Sequence, residues 1–446
     1  MGIDTEETNL SGIRYSLSKR DSRVIWHPFT QHQIAPLPIP IVRGEGAYLF
    51  DIQGKRYLDL ISSWWVNLYG HAHPEIARAI YQQAQRLEQV IFAGFTHEPA
   101  VELAETLLTI LPPKFGKIFY SDNGSTAVEV ALKMAYQYWR NQGELQRRRF
   151  IAFQGGYHGD TFGAMAVGKS SKFFDHFADC FFSVDFSPYP MTWWDDATIV
   201  QKEQAALTWL SDYLSCHASE IAALIIEPLV QGATGMRMCR PQFLQELECL
   251  AQRYQLLVIY DEVMTGFGRT GEFFACQKAK TFPDIICLAK GLTGGFLPLA
   301  VTVCREFIYQ AFLREDFQGA LAHSHSFTAN PLGCAAGLAS MRLLQDNYTS
   351  QQLKMIETVH QESLWQLVTR GLIEKPRYCG TIAAFALSQS IDYGSLHSQH
   401  WQSRFMEQGL LVRPLGNVIY LMPPYCIREE DLRAAYATIE TVIKRG

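Results

Sequence analysis

Apolar and polar positions in the middle of the chain follow two alternating rhythms. Short runs rich in β-branched and aromatic residues, "KIFYS" (117–121), "RFIAF" (149–153), "IAALIIEP" (221–228), "LLVIYDE" (256–262), "IICLAK" (285–290) and "LAVTVC" (299–304), read as strands. Between them lie glycine-rich turns and segments with helical spacing such as "TAVEVALKMAYQYWR". This alternation predicts an α/β fold with a mostly parallel central sheet flanked by helices. "NPLGCAAGLASMRLLQD" (330–346) closes the region with helical spacing and small residues suited to close packing.

The ends of the chain have a different pattern. "GAYLFDIQGKRYLDL" (46–60) alternates about a glycine-containing turn, as a β-hairpin does. Beyond residue 341 a long helix leads to "TIAAFALS" and "GLLVRPLGNVIYLMPPY", with strand-like runs around the "PLGN" turn. The pattern predicts a large domain over 66–340 and a smaller α+β domain assembled from residues 1–65 and 341–446.

Composition narrows the possible partners. The 446-residue chain has a net charge of −5 and no long basic run, which excludes an electrostatic nucleic-acid footprint and a basic membrane-surface helix. No apolar run approaches the roughly 18 residues of a membrane span, and the polar opening "MGIDTEETNLSGIRYSLSKRDSR" lacks the apolar core of a signal peptide. The ten cysteines contain no C-x-x-C pair, against both a zinc site and a disulfide framework. A reducing cytoplasm and small-molecule substrates are expected, with no metal.

In open α/β sheets ligands gather beyond the carboxyl ends of the strands, so residues that follow each apolar run carry the chemical interest. In "YSDNGSTAVE", Gly124 and Ser125 stand at a strand-to-helix junction that either binds a phosphate or is simply capped by Asn123 or Ser125. In "GGYHGDTFGAM", Tyr157 occupies a glycine-rich turn where it either stacks on a ligand ring or serves as a loop residue. Asp261 ends "LLVIYD", where the acid either caps the next segment or, buried, faces a cationic group of a ligand. Lys290 follows "IICLA", where it either snorkels, its stem packed and its ammonium in water, or is desolvated, loses its charge and can attack a carbonyl. Together these are the parts that pyridoxal 5'-phosphate requires: an amine for its aldehyde, an acid for its ring nitrogen, a stacking group and an anion site. A rival pattern, "GFGRTG" (266–271), matches the dinucleotide fingerprint but does not directly follow its strand or open a clear amphipathic helix. A structural loop is the expectation there, with Arg269 holding a phosphate, a carboxylate or a neighbouring acid.

"YDEVMTGFGRTG" followed by "PDIICLAKGLTGG" closely resembles the signature of the class III aminotransferases, pyridoxal-phosphate enzymes of the type I fold. The resemblance extends through "LDLISSWWVNLYGHAHPEI", "DNGSTAVEVALKMA", "QGGYHGDTFGAM", "IIEPLVQGATGMRM" and "NPLGCAAGLAS", nearly the whole chain after residue 24. It implies that Lys290 forms the Schiff base with the cofactor and is catalytic, that Asp261 pairs with the pyridine nitrogen, and that Tyr157 stacks on the ring. It implies phosphate contacts from Gly124 and Ser125, and from His325 and Ser326 of a neighbouring subunit, hence a homodimer with shared sites. Trp64, Tyr157, Lys290, Ser324 and Arg413 match substrate-binding positions, Arg413 as a fork for a carboxylate and Trp64 as an apolar wall. Within the family, "IWHPFTQ", "SSWW" and "VRPLGNVIYLMPPY" look like the branch that converts 8-amino-7-oxononanoate to 7,8-diaminononanoate in biotin synthesis, with adenosylmethionine or lysine as amino donor. The alternative is a class III enzyme acting on another ω-amino acid. Two departures from the pattern stand out: Phe29 where relatives carry tyrosine, and Ser324-His325-Ser326 where they carry Gly-Pro-Thr.

Overall fold

The six central runs and one strand the sequence did not announce, Val184–Ser187, form a seven-stranded sheet in the order Phe115–Ser121, Ala300–Arg305, Ile285–Leu288, Leu257–Asp261, Ile221–Ile226, Arg149–Phe153, Val184–Ser187. It belongs to a computed structural model that describes residues 10–171, 173–388 and 395–445; the first nine residues of the polar opening lie outside the described part. Ala300–Arg305 runs antiparallel to both of its neighbours, and the other pairings are parallel. The carboxyl ends of the remaining six strands therefore point to one edge of the sheet.

Side chains alternate across this sheet as the period of two requires. Phe153, Ile226, Tyr260, Ile286 and Leu288 join one apolar cluster, whereas Ala152, Ile225, Ile259, Ile285 and Cys287 join another on the opposite face. The second face is covered by the helix Gly124–Asn141, whose Ala127, Val128, Ala131 and Ala135 are fully buried at helical spacing. The first face is covered by Pro241–Arg253 and Pro331–Leu344. Cys287 and Cys304 are buried as small hydrophobes inside their strands.

The hairpin expected near the start is present as Tyr48–Asp51 paired with Arg56–Asp59. Its second strand also pairs in parallel with Leu410–Leu411, Leu410 opposite Leu58. A further three-stranded antiparallel sheet joins Glu374–Cys379, Ile382–Ala386 and Val418–Leu421. The two ends of the chain are stitched where Met422 N–H donates to the Leu60 carbonyl (2.7 Å), Ser62 Oγ to the Met422 carbonyl (2.7 Å) and Trp65 Nε1 to the Tyr420 hydroxyl (2.9 Å). One apolar cluster runs without a break from Leu58 and Trp65 through the sheet to Tyr420 and Ile439.

Two local expectations change. The stretch after "GFGRTG", which has no clear helical spacing, contains a short helix, Ala275–Ala279. It forms because buried Glu262 accepts the free N–H groups of Ala275 and Cys276 (2.6 and 2.9 Å), a capping role that no amphipathic pattern announces. Arg269, 1% exposed, forms no ion pair with an acid among the described residues and instead donates to the carbonyls of Asn67 (3.0 Å) and Pro423 (3.1 Å).

Candidate active site

Lys290 owes its place to the strand before it. Ile285–Leu288 is buried on all four residues, and the chain then turns into the short 3-10 helix Lys290–Thr293 with Lys290 at φ +43°. A non-glycine residue in that region is strained, and such strain persists only where surrounding structure imposes it. The lysine side chain enters a cavity of about 530 Å³ at the carboxyl edge of the sheet, its Nζ 4.8 Å from the centre of the Trp65 ring. Burial pushes its pKa down, against the opposing pull of Asp261 and Glu227, so the neutral amine is favoured relative to a lysine in water.

Asp261 lines the same cavity. Its strand is paired with that of Lys290, Asp261 standing opposite Cys287, so the acid and the amine leave adjacent strands side by side. The carboxylate is 5% exposed and accepts from His158 Nδ1 (2.7 Å) and the Val263 N–H (3.1 Å). Each carboxylate oxygen offers two lone-pair sites, so capacity remains for a further donor from the cavity. Burial drags the His158 pKa down, but the Asp261 carboxylate outweighs it and the net shift is upward.

Tyr157 lines the cavity from the glycine-rich turn. Its N–H donates to Glu227 (2.9 Å) and its hydroxyl to Asp160 (3.0 Å), and its ring packs on buried Phe174 at 5.9 Å and 24°. The tyrosine is thus held at backbone, ring and hydroxyl. Gly124 and Ser125 line the cavity at the amino end of an 18-residue helix. The Asn123 side chain caps Thr126 N–H (3.0 Å), so capping and an anion-ready helix end coexist at this junction. A Cβ on Gly124 would lie 2.6 Å from Val263, so only glycine lets the helix start this close to the Asp261 strand end. Ser125 Oγ also accepts the Asp160 N–H at 3.0 Å.

Trp64 and Arg413 meet at the far wall, with the guanidinium carbon 4.2 Å from the Trp64 ring centre, and both line the cavity. Ser324, His325 and Ser326 do not line the cavity of their own chain; His325 instead pairs with Asp122 (3.1 Å) and His323 (2.9 Å). Sequence reasoning missed Glu227, which ends "IAALIIE" as Asp261 ends "LLVIYD" and also lines the cavity. It accepts from Tyr157 and Gly232 N–H groups, and burial pushes its pKa up to about 7. His158 had no signal beyond its neighbour, and its contact with Asp261 spans 103 residues.

These residues fit pyridoxal phosphate on the structure's own terms. One cavity joins an amine biased to neutrality, a buried carboxylate, a fixed aromatic ring and a helix amino end with a hydroxyl beside it.

Comparison with known proteins gives consistent matches along the chain. The model of the class III aminotransferase family covers residues 29–443. The chain is 52% identical to the adenosylmethionine-8-amino-7-oxononanoate aminotransferase of Synechococcus elongatus, over 94% of this chain and 98% of the relative. It is 41% identical to the protein of that name from Geobacter sulfurreducens, over 92% and 94%. Among solved structures, the like-named protein of Methanocaldococcus jannaschii superposes with a TM-score of 0.89 at 34% identity, over 97% of this chain and 99% of that one. An amine transaminase from an uncultivated Pseudomonas species, solved with pyridoxal phosphate bound, superposes with a TM-score of 0.88 at 30% identity, over 95% and 98%.

Proposed function

The chain belongs to the class III aminotransferases, pyridoxal-phosphate-dependent enzymes, and on that premise we propose that it transfers an amino group to 8-amino-7-oxononanoate, giving 7,8-diaminononanoate for biotin synthesis. Near full-length similarity to relatives named for that acceptor carries the reading. The cavity supports it, because a site for a long, mostly apolar keto acid needs aromatic walls and a cation for the acid group. Adenosylmethionine is the proposed donor, as the relatives' names indicate, with lysine the second reading.

The cofactor, when bound, supplies an electron sink for the bond-breaking at the substrate's amine-bearing carbon. The chain's own groups do the rest. Lys290 Nζ, whose pKa burial lowers, would hold the cofactor's aldehyde end when the cofactor is bound and, when free, would carry the proton at the substrate's amine-bearing carbon. Asp261, oriented by His158, would hold the proton on the ring nitrogen of the bound cofactor. Tyr157 would pack against the cofactor's ring and Gly124 and Ser125 would hold its phosphate. Arg413 binds the substrate's terminal carboxylate and Trp64 lies along its chain.

Ser324, His325 and Ser326 contribute to the site of a second copy, which makes the enzyme a homodimer. Their position outside their own cavity supports this, as do the exposed Phe317 and Phe327 on the same stretch, 88% and 59% exposed. Among the described residues no helix is long and apolar enough to cross a membrane, and a biosynthetic enzyme of this kind acts in the cytoplasm.

The test is a pair of half-reactions with purified enzyme. Adenosylmethionine is expected to convert the cofactor to its amine form, and 8-amino-7-oxononanoate to return it, both visible in the absorbance. Failure of the second conversion rejects the acceptor; conversion by lysine but not adenosylmethionine rejects the donor.

A further inference from the structure

The cavity has one wall that is not built on the sheet. Phe29, from the segment before the first strand, and Phe173, from the turn after the 3-10 helix Lys169–Ser171, both line it. Their rings meet edge to face at 6.4 Å and 85°; Phe29 also meets Trp64 (6.2 Å, 65°), and Phe173 meets Tyr157 (6.2 Å, 90°). The four rings form one continuous aromatic row. The neighbouring phenylalanine explains how Phe173 is presented: Phe174, 4% exposed, is stacked near Tyr157 and anchors the turn, leaving Phe173 to face the cavity. Phe29 is 50% exposed and held at φ +47°, a strained setting for a bulky side chain.

The two middle rings of this row are purely apolar. Phe29 and Phe173 carry no hydrogen-bonding group, so a polar or charged substituent placed against them loses water without gaining a partner. A methylene chain gains at each carbon it buries. The row runs from Trp64, beside the carboxylate-binding Arg413, to Tyr157, beside the cofactor site, so Phe29 and Phe173 stand between the two ends, where the substrate's middle must lie.

We infer that Phe173, through its edge contacts with Phe29 and Tyr157, is a specificity-determining residue that reads the length of the apolar carbon chain of the keto-acid substrate. The inference rests on the acceptor class proposed above, but it is tested without that compound. Straight-chain monocarboxylates from butanoate to nonanoate, which carry no reacting group, are titrated into the cofactor-loaded enzyme by calorimetry. Wild-type affinity is expected to rise with chain length, by up to about fourfold for each methylene that reaches the row. In Phe173→Ala the rise among the longer acids should fall below about twofold per methylene, while butanoate binds within about twofold of wild type. Phe173→Leu, which keeps apolar contact, should restore most of the slope, and Phe29→Ala on its separate segment should flatten it.

A structural role for Phe173 would weaken all chain lengths together, so parallel slopes in wild type and Phe173→Ala overturn the inference. A wild-type affinity indifferent to chain length overturns it as well, even if Phe173→Ala proves too unstable to titrate. If the slopes behave as expected but 8-amino-7-oxononanoate is not aminated, the acceptor assignment fails and the chain-length role stands.

Discussion

Lys290 and Glu227 show how burial assigns opposite tasks to opposite charges. Loss of water favours the neutral form of each, lowering the lysine's pKa and raising the glutamate's to about 7. For the lysine, neutrality is the working state. Lys290→Ala is expected to lower turnover by about a thousandfold or more and to abolish the cofactor adduct that borohydride fixes to the wild-type chain, read by mass. A reduced adduct that survives at another residue would contradict the assignment. For Glu227 the consequence is a pH dependence of stability. Its ordinary pKa is 4.5, so between that value and about 7 the folded chain keeps a proton that the unfolded chain has released. Folding is therefore weakened as pH rises through this window, by about 3 kcal/mol once pH 7 is passed. Glu262, also raised to about 7, titrates in the same range, so the comparison must be between variants. Urea unfolding at pH 5 and pH 8 should show a decline smaller by about 2–3 kcal/mol in Glu227→Gln than in wild type.

Helix and strand ends carry the next level of organisation. The helix Gly124–Asn141 starts with a reciprocal cap, Asn123 to the Thr126 N–H and Thr126 Oγ1 to the Asn123 N–H, and this fixes where its free amino end points. Asn123→Ala is expected to cost about 1 kcal/mol of stability and, because Gly124 and Ser125 are the proposed phosphate contacts, to weaken pyridoxal phosphate binding severalfold. Equilibrium dialysis checks the second effect; unchanged cofactor affinity with lowered stability would reduce the cap to a structural role. The strand ends behave in parallel. Asp261, Glu227 and Lys290 each follow an apolar run at the carboxyl edge, and a charged residue there is legible from sequence because the run before it is. The helix Ala275–Ala279 was not legible, since a buried carboxylate at position 262 starts it.

At the scale of the whole molecule, Arg269 joins segments that the chain separates widely. Its guanidinium donates to Asn67 near one end and Pro423 near the other, lies 5.1 Å from the ring centre of Tyr425, and its own carbonyl accepts from the Thr381 N–H. Arg269→Met keeps the bulk but leaves two buried carbonyls without a donor, at about 2–5 kcal/mol, read as a lowered urea midpoint. Because Asn67 and Pro423 lie two and three residues from the cavity-lining Trp65 and Tyr420, KM for the keto acid should rise with it. The division into a domain over 66–340 and a second from both ends remains a proposal, and one continuous core runs across it. Sequence alone determined six of the sheet's seven strands, the covering helices Gly124–Asn141 and Pro331–Leu344, and the acid and amine at the strand ends, because alternation, helical spacing and charge at the end of an apolar run are local properties of the chain; the edge strand Val184–Ser187 and the helix Pro241–Arg253 came only with the structure. It also placed "GFGRTG" as a loop, yet not what its arginine touches. Tertiary structure decided the pairing of His158 with Asp261, the stitching of Met422 to Leu60, the joint at Arg269 and the meeting of Phe29 with Phe173. Each is a contact between residues far apart in the chain, selected by the packing of segments whose own patterns are indifferent to it.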